Sequence, residues 1–201
     1  MLGQQKYAYE SLDALAPSEL EGGTLSVSRE ADAPAMAELA SAVAIPGLIR
    51  HVRDPAYFAW RYKSPKMDYR FIYWRDTKLR GFLVLQKARG NAEIVRIADW
   101  EVENEQILKR LFRVALDSGK FASLTIWSAA LSEEMVSFLS DSGFALIDES
   151  RGVADYRPGF LIKSLGDNPA GNPTDGSWEV SGRRIDDFAN WDLRPIHSDG
   201  F

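Results

Sequence analysis

The sequence predicts a mixed α/β protein, an α+β sheet in which an antiparallel meander feeds a strand–helix–strand unit. Three observations carry that prediction. First, residues Tyr69–Trp100 hold three apolar runs rich in β-branched and aromatic side chains (Tyr69, Phe71, Ile72, Tyr73, Trp74; then Leu79–Leu85; then Ile94, Val95, Ile97). They are separated at Asp76-Thr77-Lys78 and Gly90-Asn91, which is hairpin chemistry. Second, EVENEQILKRLFRVALDSG follows at once, with Ile107, Leu108, Leu111, Phe112 and Ala115 at the spacings of one helical face. Third, Phe121–Trp127 (FASLTIW) reads as a further strand.

The remaining elements follow in chain order. Residues 1–23 have scattered apolar positions and end at Glu21-Gly22-Gly23, so a flexible N-terminal segment is expected. Thr24–Arg29 alternates with Leu25 and Val27 on one face, a short strand. Asp32-Ala33-Pro34 opens a helix whose stripe is Met36, Leu39, Ala40 and Val43; Pro46-Gly47 ends it. Asp54-Pro55 opens a second, aromatic helix with Tyr57, Phe58, Trp60 and Tyr62, stopped at Ser64-Pro65. Asn104 is the expected cap of the long amphipathic helix and Gly119 its close. Ser132 caps another helix carrying Met135, Val136, Phe138 and Leu139, which Gly143 ends. Phe144–Asp148 and Pro158–Leu165 read as the last strands, Gly166–Gly176 as a loop, and residues 166–201 as a C-terminal extension with Trp178, Phe188 and Trp191.

Composition bounds the function classes. The chain has 201 residues, 45% hydrophobic and 26% charged, the values of an ordinary globular protein with one main domain. No run reaches the apolar length of a membrane span, so no membrane partner is expected. The start, MLGQQKYAYESLDALAP, lacks an apolar stretch and carries acids, unlike a secretory leader; with no cysteine in the chain, a cytoplasmic location is expected. Cysteine chemistry is excluded outright. His51 and His197 are the two histidines and lie far apart in sequence, so no metal-ligand cluster arises by spacing. No Walker, dinucleotide-binding or nucleophile-elbow motif occurs. The net charge of −5 argues against a general polyanion binder, and nucleic acid is not an expected partner.

The order β-α-α-β-β-β-α-β-α-β-β resembles the GNAT superfamily of acyl-CoA N-acyltransferases over about Thr24–Leu165. LSDSGFALIDE is similar to the late GNAT segment in which a helix ends in Gly-Phe and enters a strand. RDPAYFAWRYKSP, YRFIYW, LRGFLVLQ and VRIADW resemble a branch found among polysaccharide-biosynthesis genes. The resemblance implies a sheet splayed between the fourth and fifth strands. It implies that acetyl-CoA or another acyl-CoA enters the splay, with its pyrophosphate at the start of the following helix. An amine acceptor, a small molecule or a carbohydrate precursor, comes from the other side, and a homodimer is compatible with it. Cofactor contacts then fall to Ala98, Trp100, Val102, Asn104, Lys109 and Arg110. Where GNAT proteins carry glycines and a basic residue or Gln before that helix, this chain has Glu101, Glu103 and Glu105 and no glycine. Carboxylates there stabilise a helix and repel a diphosphate. Where many GNAT enzymes place an acid tyrosine, this chain has Leu139, leaving Tyr156 as the candidate acid.

Asp99 and Glu101 end the fourth strand and are the candidate bases for an ammonium proton; each is equally suited to starting a helix. Arg50–Arg75 holds seven basic residues against two acids, interleaved with aromatics. His51, Tyr57, Trp60, Arg61, Arg70 and Trp74 are the candidate acceptor-binding residues, because aromatics stack on sugar rings and arginines bind anions. The same pattern also describes a helix whose aromatics face a sheet and whose charges face water. The expected activity is N-acyl transfer from a CoA thioester to an amine. The alternatives are a binding or scaffold module that kept the fold without CoA, and aminoacyl transfer from a charged tRNA.

Overall fold

The computed structural model describes residues 9–20, 22–88, 94–119, 121–128, 131–145, 179, 180, 182–184, 187 and 190–192. Within them the chain is mixed α/β, with five helices, a six-stranded mixed sheet and one small separate hairpin. Contacts divide it into two compact units. The first contains Val52–Leu131 and the described part of Met1–Ala44; the second contains Ile45–His51 and the described part of Ser132–Leu193.

The first unit is built on the sheet β1 (Ser18–Leu20), β2 (Gly23–Ser28), β3 (Met67–Arg75), β4 (Leu79–Ala88), β5 (Ile94–Val102) and β6 (Ser123–Thr125), in that spatial order. Neighbours are antiparallel except β5 and β6, which run parallel. The hairpin β3–β4 turns at Asp76, whose side chain accepts from the Lys78 amide at 3.0 Å, a local hydrogen bond that replaces the ladder through the turn.

The helices form where capping chemistry and apolar stripe coincide. α2 (Ala33–Ala42) is capped by Asp32 and α3 (Pro55–Arg61) by Asp54, each with proline in the first turn. α4 (Glu105–Ser118) is capped by Asn104, which accepts from the Ile107 amide at 3.1 Å. In every case the cap satisfies an amide of the first turn that the helix itself leaves unbonded.

Side-chain parity in β3 sorts the layers. Tyr69, Phe71 and Tyr73 face one side, where they join Met36, Leu39 and Ala40 of α2, Phe58 of α3, and Phe82, Val84 and Ala98. Trp74 pairs with Gly81, and Gly81 lies directly under α4. A methyl group there would stand 2.5 Å from Ile107 Cγ2 and 3.1 Å from Val102 Cγ1, so α4 crosses the sheet at its only side-chain-free point in β4. On this side α4 buries Ile107, Leu108, Leu111, Phe112 and Ala115.

Two short elements lie in the stretch expected to be a flexible N-terminal segment. α1 (Tyr9–Asp13) and β1 each have too few residues for periodicity to show. α1 is anchored by charge and aromatic contact. Tyr9 lies beneath both Arg70 and Lys87, with the Arg70 Cζ 4.5 Å from its ring centre. Asp13 pairs with Arg70 and Arg29, and the Arg70 hydrogen bond holds its carboxyl below the ordinary carboxylate range.

In the second unit, α5 (Glu133–Asp141) is capped by Ser132 and closes at Gly143 in the left-handed region, φ 91°. β7 (Glu179–Val180) and β8 (Arg183–Arg184) form a hairpin about Gly182, φ 73°. Phe144 and Ala145 are not in a strand. The rest of the expected strand at Phe144–Asp148, the expected strand at Pro158–Leu165, and Tyr156 lie outside the described residues. Among the described residues no helix is long and apolar enough to cross a membrane.

Replacing Gly81 with alanine tests the α4 crossing. The added methyl forces α4 outward, and urea unfolding should show a loss of about 1–3 kcal/mol; an unchanged midpoint would mean that α4 is not seated there.

Candidate functional site

The site follows from one irregularity in β5. Val84 pairs with Asp99, but Leu85 pairs with Ile97, so Ala98 has no partner across the ladder. An extra residue of this kind is a β-bulge, and it changes which face the following side chains take. In a regular strand Val95, Ile97, Asp99 and Glu101 would share one face. After the bulge, Asp99 and Glu101 stand with Val84 and Phe82 on the α2–α3 side, while Trp100 opposes Leu83 on the α4 side. The signal is present in the sequence: the apolar positions on the α4 side switch from Val95 and Ile97 to Trp100 and Val102. Periodicity analysis that assumes an unbroken strand misses it.

The bulge delivers both carboxylates into the core. Asp99 is 0% exposed and Glu101 4%. Arg53, itself buried and one residue ahead of the α3 cap, meets both: Nη2 donates to Asp99 Oδ2 and Nη1 to Glu101 Oε1. The guanidinium also lies over Phe58, its Cζ 5.0 Å from the ring centre. Tyr62, the C-cap of α3, donates its hydroxyl to Asp99 Oδ2 at 2.6 Å. Asp99 Oδ1 accepts from the Trp100 amide at 2.9 Å.

Charge states follow from these contacts. Burial works against the Arg53 cation, but Asp99 and Glu101 outweigh it and hold Arg53 protonated. Burial, then the Asp99 carboxylate, pushes the Tyr57 phenol up to about 12. The same two causes push Tyr62 well above its ordinary value, so it stays a donor at neutral pH. Among the described residues, the buried Arg53 Nε and Tyr57 hydroxyl have no hydrogen-bond partner.

The structure places both candidate bases in the interior. Asp99 and Glu101 do end the strand, but in this state both are sealed from solvent and paired with Arg53. Arg53 is the residue that sequence reasoning missed. As one cation in a basic run it carries no mark of burial; only its place beside the Asp54-Pro55 helix start, over a bulged strand, brings it inward.

The candidate acceptor residues separate. Tyr57, Trp60 and Arg61 share α3, and Trp60 is 66% exposed with Arg61 beside its ring. Arg70 and Trp74 have the opposite parity in β3 and face the other side of the sheet, where Arg70 holds Asp13 and Trp74 is buried under Arg110. His51 is exposed and belongs to the second unit. The aromatic residues Phe58, Tyr69, Phe71, Tyr73 and Trp74 are core. The exposed basic and aromatic surface of this stretch is therefore much smaller than the sequence suggested.

The candidate cofactor residues fall around the start of α4. Ala98 and Trp100 are buried in β5, Val102 ends that strand, and Asn104 is the α4 cap. Lys109 is partly buried, and Arg110 stacks on Trp74 at 5.2 Å. Arg110 also lines a surface cleft of about 270 Å³ with Arg80, Asn104 and Gln106. The glutamates before α4 are less repulsive than their number implies. Glu101 is matched by Arg53, and Glu103 by Arg80 at 2.8 Å and Lys78 at 3.2 Å. Hydrogen bonding from Arg80 holds the Glu103 carboxyl below its ordinary range. Among the described residues no group of His, Cys, Asp and Glu is placed to hold a metal ion.

The expected cost of breaking the cluster is large. Replacing Arg53 with methionine leaves two buried carboxylates without their cation and should cost about 3–5 kcal/mol in urea unfolding, whereas adding Asp99→Asn and Glu101→Gln to it should recover much of that loss. A cost below about 1 kcal/mol for the single variant would mean that the cluster is hydrated rather than buried. Comparison with protein-family models, with curated proteins and with solved structures found no match to this chain.

Proposed function

We propose that the chain is a GNAT-like N-acyltransferase that moves an acyl group from a CoA thioester to an amine acceptor, a small molecule or carbohydrate precursor. The observation that carries the proposal is the fork at the end of β5. β5 and β6 pair only over Ile94–Arg96 with Ser123–Thr125, and among the described residues no ladder continues along that edge of Ile97–Val102. Ile97–Val102 therefore run on past the β5–β6 ladder at the carboxyl end of the strand, the end at which α/β sheets bind ligands. The bulge at Ala98 lies in the same stretch and interrupts the ladder there.

These residues fit an acyl-CoA in part. The fork suits an extended thioester arm, and matched charges on Glu101 and Glu103 reduce the repulsion that a diphosphate would meet near α4. Glycines that would let backbone approach phosphate closely are missing from Glu101–Gln106. Asn104, Lys109 and Arg110 are the groups that would hold it. When bound, acyl-CoA supplies an activated acyl carbonyl. This chain's part is to place an amine against it and to take one proton. Placement is the larger contribution, because a neutral amine is already a competent nucleophile. Backbone of Ala98–Glu101 faces the reacting carbonyl in this proposal, and Asp99 or Glu101 receives the ammonium proton.

One observation favours the rival reading, a module that kept the fold without the chemistry: both carboxylates are occupied by Arg53. Transfer from a charged tRNA draws less support, because Arg53, Arg70 and Arg75 are each engaged with acids, away from a common exposed face. Calorimetric titration with acetyl-CoA separates transferase from module. The transferase proposal expects saturable binding with a micromolar constant; absence of heat with about millimolar ligand would leave the module.

A further inference from the structure

We propose that α3 is a strap latched at both ends to one carboxylate oxygen, and that Arg53 and Tyr62 are positioning residues that keep Asp99 and Glu101 covered until the strap lifts. The juxtaposition is specific. Arg53 precedes the N-cap of α3, Tyr62 is its C-cap, and both donate to Asp99 Oδ2. The helix between them has seven residues; Phe58 is fully buried against Phe82 with ring centres 6.0 Å apart, and Tyr57 packs partly buried beside it. Its outer positions Pro55, Ala56, Ala59 and Trp60 are exposed.

A helix this short is held by a few rings, Phe58 with Tyr57 and Tyr62 packed on the same core, and by the double latch, so local opening is expected at lower free energy than global unfolding. The chain departs from the first unit at Ala44 and re-enters it at Val52, immediately before the latch. Lifting α3 therefore frees Asp99 and Glu101 without breaking any β3–β4 or β4–β5 pair, since those ladders do not run through it.

The latch stands on geometry alone; its purpose, uncovering the proton acceptors, rests on the transferase proposal. Hydrogen–deuterium exchange of the full chain without ligand tests it, read on peptides covering Asp54–Lys63 against peptides from β4 and β5. Tyr62→Phe removes one hydroxyl and should speed α3 exchange about tenfold, the loss of one charge-assisted hydrogen bond, while β4 and β5 stay unchanged. Tyr57→Phe removes a hydroxyl that has no partner among the described residues and should leave α3 within about threefold of wild type. The proposal is overturned if Tyr62→Phe changes α3 by less than about threefold, if β4 and β5 accelerate equally, or if Tyr57→Phe acts as Tyr62→Phe does. Acetyl-CoA titration of the same samples keeps the two claims apart: a latch without binding removes the transferase, and binding without a latch removes the strap.

Discussion

The contact on which the rest of the first unit depends is Arg53 with Asp99 and Glu101. Two carboxylates in a sheet interior are intolerable without a cation, and an arginine fork is the side chain able to hold two at once. Its presence explains why α3 lies where it does, why Tyr62 turns inward at the helix end, and why a sheet face otherwise lined by Phe58, Phe71, Phe82 and Val84 accepts charge. The bulge at Ala98 is the backbone side of the same constraint. Without the extra residue, Asp99 and Glu101 would face α4, among Ile107, Leu111 and Phe112 and away from Arg53.

A buried ion cluster is a poor way to make a protein stable, since apolar residues of the same shape commonly serve as well or better. In this chain the cluster stands where β5 runs on past its pairing with β6. The same geometry divides the chain's chemistry between two faces of one sheet. The α3 side carries the carboxylates and the exposed Trp60; the α4 side carries the cleft with Arg80, Asn104 and Arg110. An enzyme that brings two substrates together from opposite sides of a sheet needs such a division, and so does the transferase proposal.

Much of the fold was legible because local signals and tertiary packing agree. Asp32, Asp54, Asn104 and Ser132 were recognisable as caps from residue type and following pattern, and each accepts a first-turn amide. The meander was legible from its turns. The site was legible only in part. Asp99 and Glu101 stood out as acids ending an apolar strand, but their environment depends on a bulge written as a one-residue slip in parity. In the basic aromatic stretch, strand parity sends Arg70 and Trp74 away from Tyr57 and Trp60, and a cation's burial depends on partners some 46 and 48 residues distant in sequence. α1 and β1 escaped notice because elements this short are stabilised by what they dock on, here Arg70, Lys87 and β2.

The most direct measurement is on the Arg53 guanidinium itself, by nitrogen-detected NMR of the side chain assigned through an Arg53→Lys variant. A guanidinium gripped on two sides by buried carboxylates should rotate slowly about Nε–Cζ and show separate, exchange-protected Nη signals. Averaged, rapidly exchanging signals like those of surface arginines would show that Asp99 and Glu101 are not clamped, and the account of α3, the bulge and the covered carboxylates would fall together.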